Sequence, residues 1–390
     1  MGALGGNARL ALDTLEMKSA PGIPTTLVHV MDIALLEELG GHEPGAYRAD
    51  PHGVYIDFQR AIGACALDQY LAENPLSMSD RGYGPDAVHG ATTGAERIVC
   101  DGMAIDSPEA VAEHLERFVF PDLVKRIEAA DVDGADEVAR LVEGERLLQE
   151  RLGADILKIP YSGGFQSFPR MRYTQYGYVN YFMAFALYPE LMERDFALQA
   201  DLAVTRNATA ARAIRSGELP RMIRLDHDMA DSRGTLCDVR TLDAIWFPHF
   251  ARAIAPLLDA GVRLIWHCDG DLMQMVPRLL ECGLGGFQGF QYEDGMDYAA
   301  ICRMTDRDGG PLLMWAGVSV TTTLPHGTAE DVARELAWLV DNGPDRGLFL
   351  GASSSVAPGT NRENVKALVE GLAHYREAGR PSTAARASAR

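Results

Sequence analysis

The run Arg263-Leu264-Ile265-Trp266-His267-Cys268-Asp269-Gly270 passes from an apolar, β-rich stretch into a polar end closed by glycine. Such a run reads as a buried parallel strand. Seven more segments share the pattern: Thr25–Met31, Cys65–Leu71, Asp155–Pro160, Met222–Asp226, Gly286–Gln291, Leu312–Gly317 and Leu348–Ala352. Helical patterns lie between them. Ser107-Pro108-Glu109-Ala110 supplies a cap, a first-turn proline and an acid at the positive end of the helix dipole. Thr328-Ala329-Glu330-Asp331 and Asn361-Arg362-Glu363-Asn364 open two more. Strands alternating with helices imply a parallel sheet. Eight such units predict an α/β fold of the (β/α)8 TIM-barrel kind. Helical insertions are expected after strands 2 and 3. The first holds a hairpin at Ile98–Ala104 and amphipathic helices near 108–130 and 135–152. Residues 1–378 read as a single barrel. Residues 379–390, rich in Ala, Ser and Arg, read as a disordered tail.

The bulk numbers narrow the function. The chain has 390 residues, 47% of them hydrophobic, which is ample for one large core. Its net charge of −19 argues against nucleic acid, whose phosphates need Lys and Arg. It also argues against a highly anionic substrate, unless basic residues cluster locally. The six cysteines form no CxxC pair. The opening Met1–Asn7 lacks a signal-peptide pattern, and no apolar run reaches membrane-spanning length. A cytoplasmic protein with reduced thiols and no membrane partner is expected. Gly163-Gly164 and Gly285-Gly286 lack the full GxGxxG pattern, and no serine sits in a nucleophile elbow.

In a barrel of this kind the chemistry gathers where the strands end. Those ends carry His29 and Asp32; Asp68, Gln69 and Tyr70; Tyr161 through Phe165; Asp226-His227-Asp228; His267 and Asp269; Gln291-Tyr292-Glu293; Ser319; and Ser353-Ser354-Ser355. His267 and Asp269 alternate along one strand, so they share a face and Cys268 takes the other. An imidazole and a carboxylate so placed could share a zinc ion, with Glu293 or Asp228 as third ligand. They could equally form a general acid/base pair, or only brace the strand ends. Asp226 and Asp228 show the same alternation, with a turn-capping role as the alternative.

The order of these motifs resembles the superfamily of uroporphyrinogen decarboxylase and the corrinoid (cobalamin)-dependent methyltransferases. The resemblance rests on Leu264–Asp271, Glu293–Asp297, Trp315–Val320 with Leu324–Thr328, and Gly351–Pro358 with Glu363-Asn364. Asp226–Ala230, Pro248, Asp101-Gly102 and Gly177-Tyr178 add to it. It spans roughly residues 20–378.

The resemblance implies one of two activities. Decarboxylation of a porphyrinogen needs an Arg-rich loop after the first strand, and here Val30–Glu38 contains no Arg. Ser354 also stands where the decarboxylases carry a histidine. Asp68 matches the aspartate that holds their substrate's pyrrole groups. Methyl transfer in this superfamily uses zinc on a His-x-Cys and a later Cys. Here His267 keeps its place, Asp269 replaces the first thiolate and Ser319 lies near the second. That pattern resembles the substrate-demethylating members, which pass a methyl group to a corrinoid protein. The expected activity is therefore methyl transfer from a small methylated substrate. A decarboxylase or lyase run by His267 and Asp68 on a small non-porphyrin substrate is the alternative, and a non-catalytic ligand-binding barrel is the third. The expected catalytic residues are His267, Asp228, Asp269 and Glu293. The expected substrate-binding residues are His29, Asp68, Tyr70, Tyr161, Phe165, Asp226, Gln291, Tyr292, Ser319 and Ser354. Zinc on His267 and Asp269, a corrinoid supplied by a partner protein, and a homodimer complete the expectation.

Overall fold

The computed structural model describes residues 3–27, 29–73, 98–130, 134–161 and 164–380. Of the expected features, Ser162, Gly163 and tail residues 381–390 lie outside the described residues. The structure is mixed α/β with a parallel sheet. Its strands are β1 (Ala66–Leu67), β2 (Val99–Cys100), β3 (Met103–Ala104), β4 (Leu157–Lys158), β5 (Met222–Asp226), β6 (Ala230–Asp231), β7 (Gly234–Thr235), β8 (Arg263–His267), β9 (Gly286–Gln288), β10 (Leu313–Val318) and β11 (Leu348–Ala352).

Five strands form one parallel sheet in the order β11-β10-β9-β8-β5, and β1 pairs in parallel with β4. The segment around Thr25 connects the two. Thr25 bridges in parallel to Leu350, and Cys65 N donates to Thr25 O at 2.8 Å. The expected first strand, Thr25–Met31, is therefore two isolated bridges, at Thr25 and Val30, rather than a ladder. Three other expected strands, β1, β4 and β9, are shorter than their apolar runs. In β1 the Asp68 carboxylate captures Gln69 N at 2.6 Å, which diverts the chain from the ladder. In β9 the chain turns at Gly289, whose φ is +75°.

The edge of β4 facing β5 carries no backbone ladder among the described residues, and a side chain explains this. Leu157 N and Ile159 N point to β1, donating to Cys65 O and Leu67 O at 2.9 Å. Lys158 N points the other way and is taken by Gln149 Oε1 at 2.8 Å, while Gln149 Nε2 donates to Ile156 O at 2.9 Å. The Gln149 amide thus satisfies the groups that a neighbouring strand would have used.

Between β1 and β4 lie the β2–β3 hairpin, helical turns over 108–128 and the helix Ala135–Leu152. Helices Tyr178–Leu187 and Pro189–Ser216 follow β4. The expected caps are present: Ser107 Oγ accepts from Ala110 N, Asn361 Oδ1 from Glu363 N, and Thr328 forms a capping box with Asp331. Gly379 and Arg380, placed by expectation in the tail, are anchored, with Arg380 Nη1 donating to Val340 O at 2.6 Å. No described helix is long and apolar enough to cross a membrane, and all six cysteines are free.

Cys65, Leu157, Ile159, Met222, Ile265, Leu313, Trp315 and Phe349 meet in one buried cluster drawn from both sets of strands. Ala8, Ala11 and Leu15 of the helix Gly6–Leu15 pack against it. Phe349 is fully buried there. Phe349→Ala is expected to lower the unfolding free energy by about 3–5 kcal/mol, seen as a drop in denaturant midpoint. Leu147→Ala, at a position 50% exposed, is expected to change it by less than about 0.5 kcal/mol.

Candidate functional site

β5 and β8 run in register, so Asp226 lies beside His267 at their C-terminal ends. Two residues further along each chain come Asp228 and Asp269, joined by Asp269 N donating to Asp228 Oδ1 at 2.9 Å. Ligand atoms of Asp228, His267 and Asp269 all lie within 4.8 Å of one another. His267 Nδ1 donates to Gln288 O at 3.3 Å, which leaves Nε2 toward Asp269 Oδ1 at 3.8 Å. Ser354 Oγ donates to Asp269 Oδ2 at 3.2 Å, while Asp269 Oδ1 is buried without a hydrogen bond.

Two glycines make this geometry possible. A Cβ at Gly289 would stand 2.7 Å from His267 Nδ1, and one at Gly270 would stand 2.7 Å from the Asp231 carbonyl. Gly270 also has φ +88°, and its N–H donates to Gln291 Oε1. Cys268 points away from the cavity side. Its thiol accepts from Met229 N at 3.2 Å and donates to Asp269 O at 3.0 Å, and burial holds its pKa well above the ordinary value.

Beneath this group lies a buried ion cluster. Arg224, 3% exposed, donates through Nε to Asp68 Oδ2 at 2.7 Å and through Nη1 to Asp226 Oδ2 at 2.9 Å. Tyr161 OH donates to Asp226 Oδ2 at 2.8 Å, and its ring lies under the Arg224 guanidinium. Burial works to raise the Asp226 pKa, but His267 and Arg224 overcome it and bring it to about 2. Burial disfavours the His267 cation, yet Asp226, Asp269 and Asp228 outweigh that and raise its pKa. Asp228 moves the opposite way to Asp226: burial and the adjacent Asp269 raise its pKa. His227 is a neutral structural group. Burial and then Arg170 lower its pKa to about 3, and its Nε2 accepts from Met171 N at 3.0 Å.

A cavity of about 450 Å³ opens over these residues. Of the expected site residues, His29, Asp226, Asp228, His267, Asp269 and Ser354 line it. Asp68 and Tyr161 act on it through Arg224 and Asp226. Gln291 shapes the Gly270 turn. Five expected residues are placed elsewhere. Tyr70 turns to His52, whose Nδ1 is 2.9 Å from the Tyr70 hydroxyl, and Phe165 is fully buried in the core. Tyr292 packs edge-on against Trp338. Glu293 sits in the turn Tyr292–Asp294, where its Oε1 accepts from Ser319 Oγ at 2.6 Å and from Thr321 Oγ1. Glu293 and Ser319 thus bind each other rather than joining His267. Gln69 and Ser355, both named at strand ends, also line the cavity, as do Arg224 and Gln288, which the sequence reading did not single out. Arg224 had a visible signal, a cation inside the apolar strand Met222–Asp226.

Ser319 also ties down a half-buried acid. Its N–H donates to Glu335 Oε1 at 2.5 Å, and burial raises the Glu335 pKa to about 7. Two predictions follow from these charges. Arg224→Met leaves Asp68 and Asp226 buried without their counter-ion, and is expected to cost about 3–5 kcal/mol in denaturant unfolding. For Glu335 the folded pKa lies above the unfolded one, so its stabilising contribution is complete at low pH and is lost as pH rises through about 7. Glu335→Gln, which keeps the acceptor for Ser319 N, should therefore gain on the wild type by on the order of 1–3 kcal/mol between pH 5 and 8 in paired unfolding curves.

No family model matches the chain, and no curated protein matches it. Among solved structures, a methyltransferase from Methanosarcina mazei superposes with a TM-score of 0.55 at 15% identity, over 95% of this chain and 98% of that one. A B12-independent methionine synthase from Shewanella sp. W3-18-1, in complex with selenomethionine, aligns at 15% identity over 61% of this chain and 67% of that one, with a TM-score of 0.33. The first similarity shows the fold, a mixed α/β architecture with a parallel sheet shared along nearly the whole of both chains.

Proposed function

We propose that residues 1–378 form one closed (β/α)8 barrel that takes a methyl group from a small methylated substrate and passes it to a corrinoid protein. The observation that carries this reading is the convergence of Asp228, His267 and Asp269 on one cavity at the C-terminal strand ends. The hydrogen-bonded order of strand segments and the full-length likeness to a protein named as a methyltransferase support it. The expected homodimer remains part of the proposal.

The donor set fits a divalent metal. It offers two carboxylates and one imidazole, and the buried Asp269 Oδ1 has no hydrogen bond to give up. Asp228, His267 and Asp269 would hold the ion, which when bound would polarise the substrate's heteroatom as a Lewis acid. Zinc suits this set, although without thiolates it is bound less softly than in a His/Cys site.

The chain's own residues supply the rest. The Gln288 carbonyl fixes the His267 ring, and the surrounding aspartates favour its protonated form. As the methyl–heteroatom bond breaks toward the acceptor's nucleophile, the electron pair stays on the heteroatom. With no ion bound, a proton held at His267 Nε2 can then neutralise the leaving oxygen or nitrogen; with an ion bound, that nitrogen would be its ligand and carry no proton. Ser354 holds Asp269, and Arg224 holds Asp226 beside the imidazole. The lyase alternative needs a free Asp68, but that carboxylate is bound by Arg224 and Gln69 N.

The test is a panel of methoxy and methylamine compounds with a Co(I) corrinoid, followed by loss of the Co(I) spectrum. Transfer is expected for at least one compound, with His267→Ala slower by about 10²–10⁴-fold. Release of carbon dioxide without corrinoid, or no transfer from any compound, contradicts the reading. Elemental analysis should find one divalent ion per chain, lost in Asp269→Ala.

A further inference from the structure

A second cavity, of about 800 Å³, opens at the opposite, N-terminal ends of the strands. Four arginines stand around it: Arg215, Arg221, Arg263 and Arg307. They come from the last turn before β5, the residue preceding β5, the first residue of β8 and the turn entering β10. The chain has 36 basic against 55 acidic residues, whereas this lining balances its four arginines against four acids.

Only one of the four is engaged. Arg263 Nη1 donates to Gly285 O at 3.1 Å and lies 3.7 Å from Asp306 Oδ2. Among the described residues, the side chains of Arg215, Arg221 and Arg307 make no hydrogen bond or ion pair. Helix C-termini at this end attract positive charge, but these three arginines donate to none of their carbonyls. Four acids share the lining. Asp306 Oδ1 is occupied by Asp308 N and Gly310 N, and Glu16 is paired with Lys18. Glu218 and Asp308 are exposed.

The backbone is cleared for the guanidinia. A Cβ at Gly283 would stand 3.0 Å from Arg307 Nη1, and one at Gly285 would stand 2.8 Å from Arg263 Nη1. Two glycines therefore let two guanidinia lie against one short stretch of chain. Leu15, Leu258 and Val262 add an apolar wall.

A guanidinium fork meets two oxygens of an anion at once, and one phosphate group is met by a pair of forks. Four forks call for two neighbouring phosphate groups, and the cavity lies within the size range of small-molecule sites. We propose that this cavity binds an organic diphosphate, its charged groups held by Arg215, Arg221, Arg263 and Arg307 and its less polar part laid on Leu15, Leu258 and Val262. The site lies at the other end of the strands from His267 and does not depend on the methyl-transfer reading.

The test uses the full chain, titrated by calorimetry with inorganic pyrophosphate, orthophosphate and citrate at constant ionic strength, without added metal. Pyrophosphate is expected to saturate one site at least tenfold more tightly than orthophosphate or citrate. The Arg221→Ala/Arg307→Ala double variant should weaken it at least tenfold, with the ligand-free melting temperature unchanged. Arg307→Gln alone should weaken it less, and His267→Ala not at all. No saturable pyrophosphate binding, equal binding of citrate, an unchanged affinity in the double variant, or loss of binding in His267→Ala would each overturn the proposal.

Discussion

The buried Arg224 guanidinium is the interaction on which the rest of the site depends. It sits where, among the described residues, β4 and β5 share no backbone ladder, and it ties Asp68 beyond β1 to Asp226 at the end of β5. Burying a cation is costly unless it is paired and hydrogen-bonded, and two carboxylates with the Tyr161 ring meet that need. The same charge allows aspartates to gather in a small space. Without it, Asp68 would lose its ion pair and Asp226 one of the cations that hold it ionised.

This arrangement sets the proton balance of the cavity. Asp226 is held ionised by two cations, Asp228 is pushed toward its neutral form by burial and Asp269, and His267 is pushed toward its cation. Neighbouring groups whose pKa values are driven apart suit acid–base work. The geometry depends on small residues as much as on charged ones, since Gly289 leaves room for the His267 ring and Gly270 for the Asp231 backbone.

Much of this was legible in the chain. The runs ending at Asp226, His267 and Ala352 appear as strands with the bounds their apolar pattern implies, because a buried strand in a parallel sheet leaves a continuous apolar signature. The alternation of His267 and Asp269 was equally readable, because side chains on a strand take opposite faces in turn. Tyr70, Phe165, Tyr292 and Glu293 were not placed correctly by the same logic, because the strand does not continue where they stand. Asp68 captures Gln69 N, after which Tyr70 turns to His52 while Gln69 and Leu71 still line the cavity, and Gly289 turns left-handed ahead of Tyr292 and Glu293. The Gln149 amide that closes the edge of β4 belongs to a helix and leaves no periodic trace. Arg224 was visible as a charge within an apolar run, but its two partners are contacts between separate segments that no local pattern encodes.

The central claim is that chemistry takes place over His267. A crystal structure with a demethylated product bound tests it most directly. The account predicts the product's freed oxygen or nitrogen about 3 Å from His267 Nε2, with Asp228 and Asp269 on the same side. A product seated elsewhere, or one whose freed heteroatom faces away from His267, would contradict it.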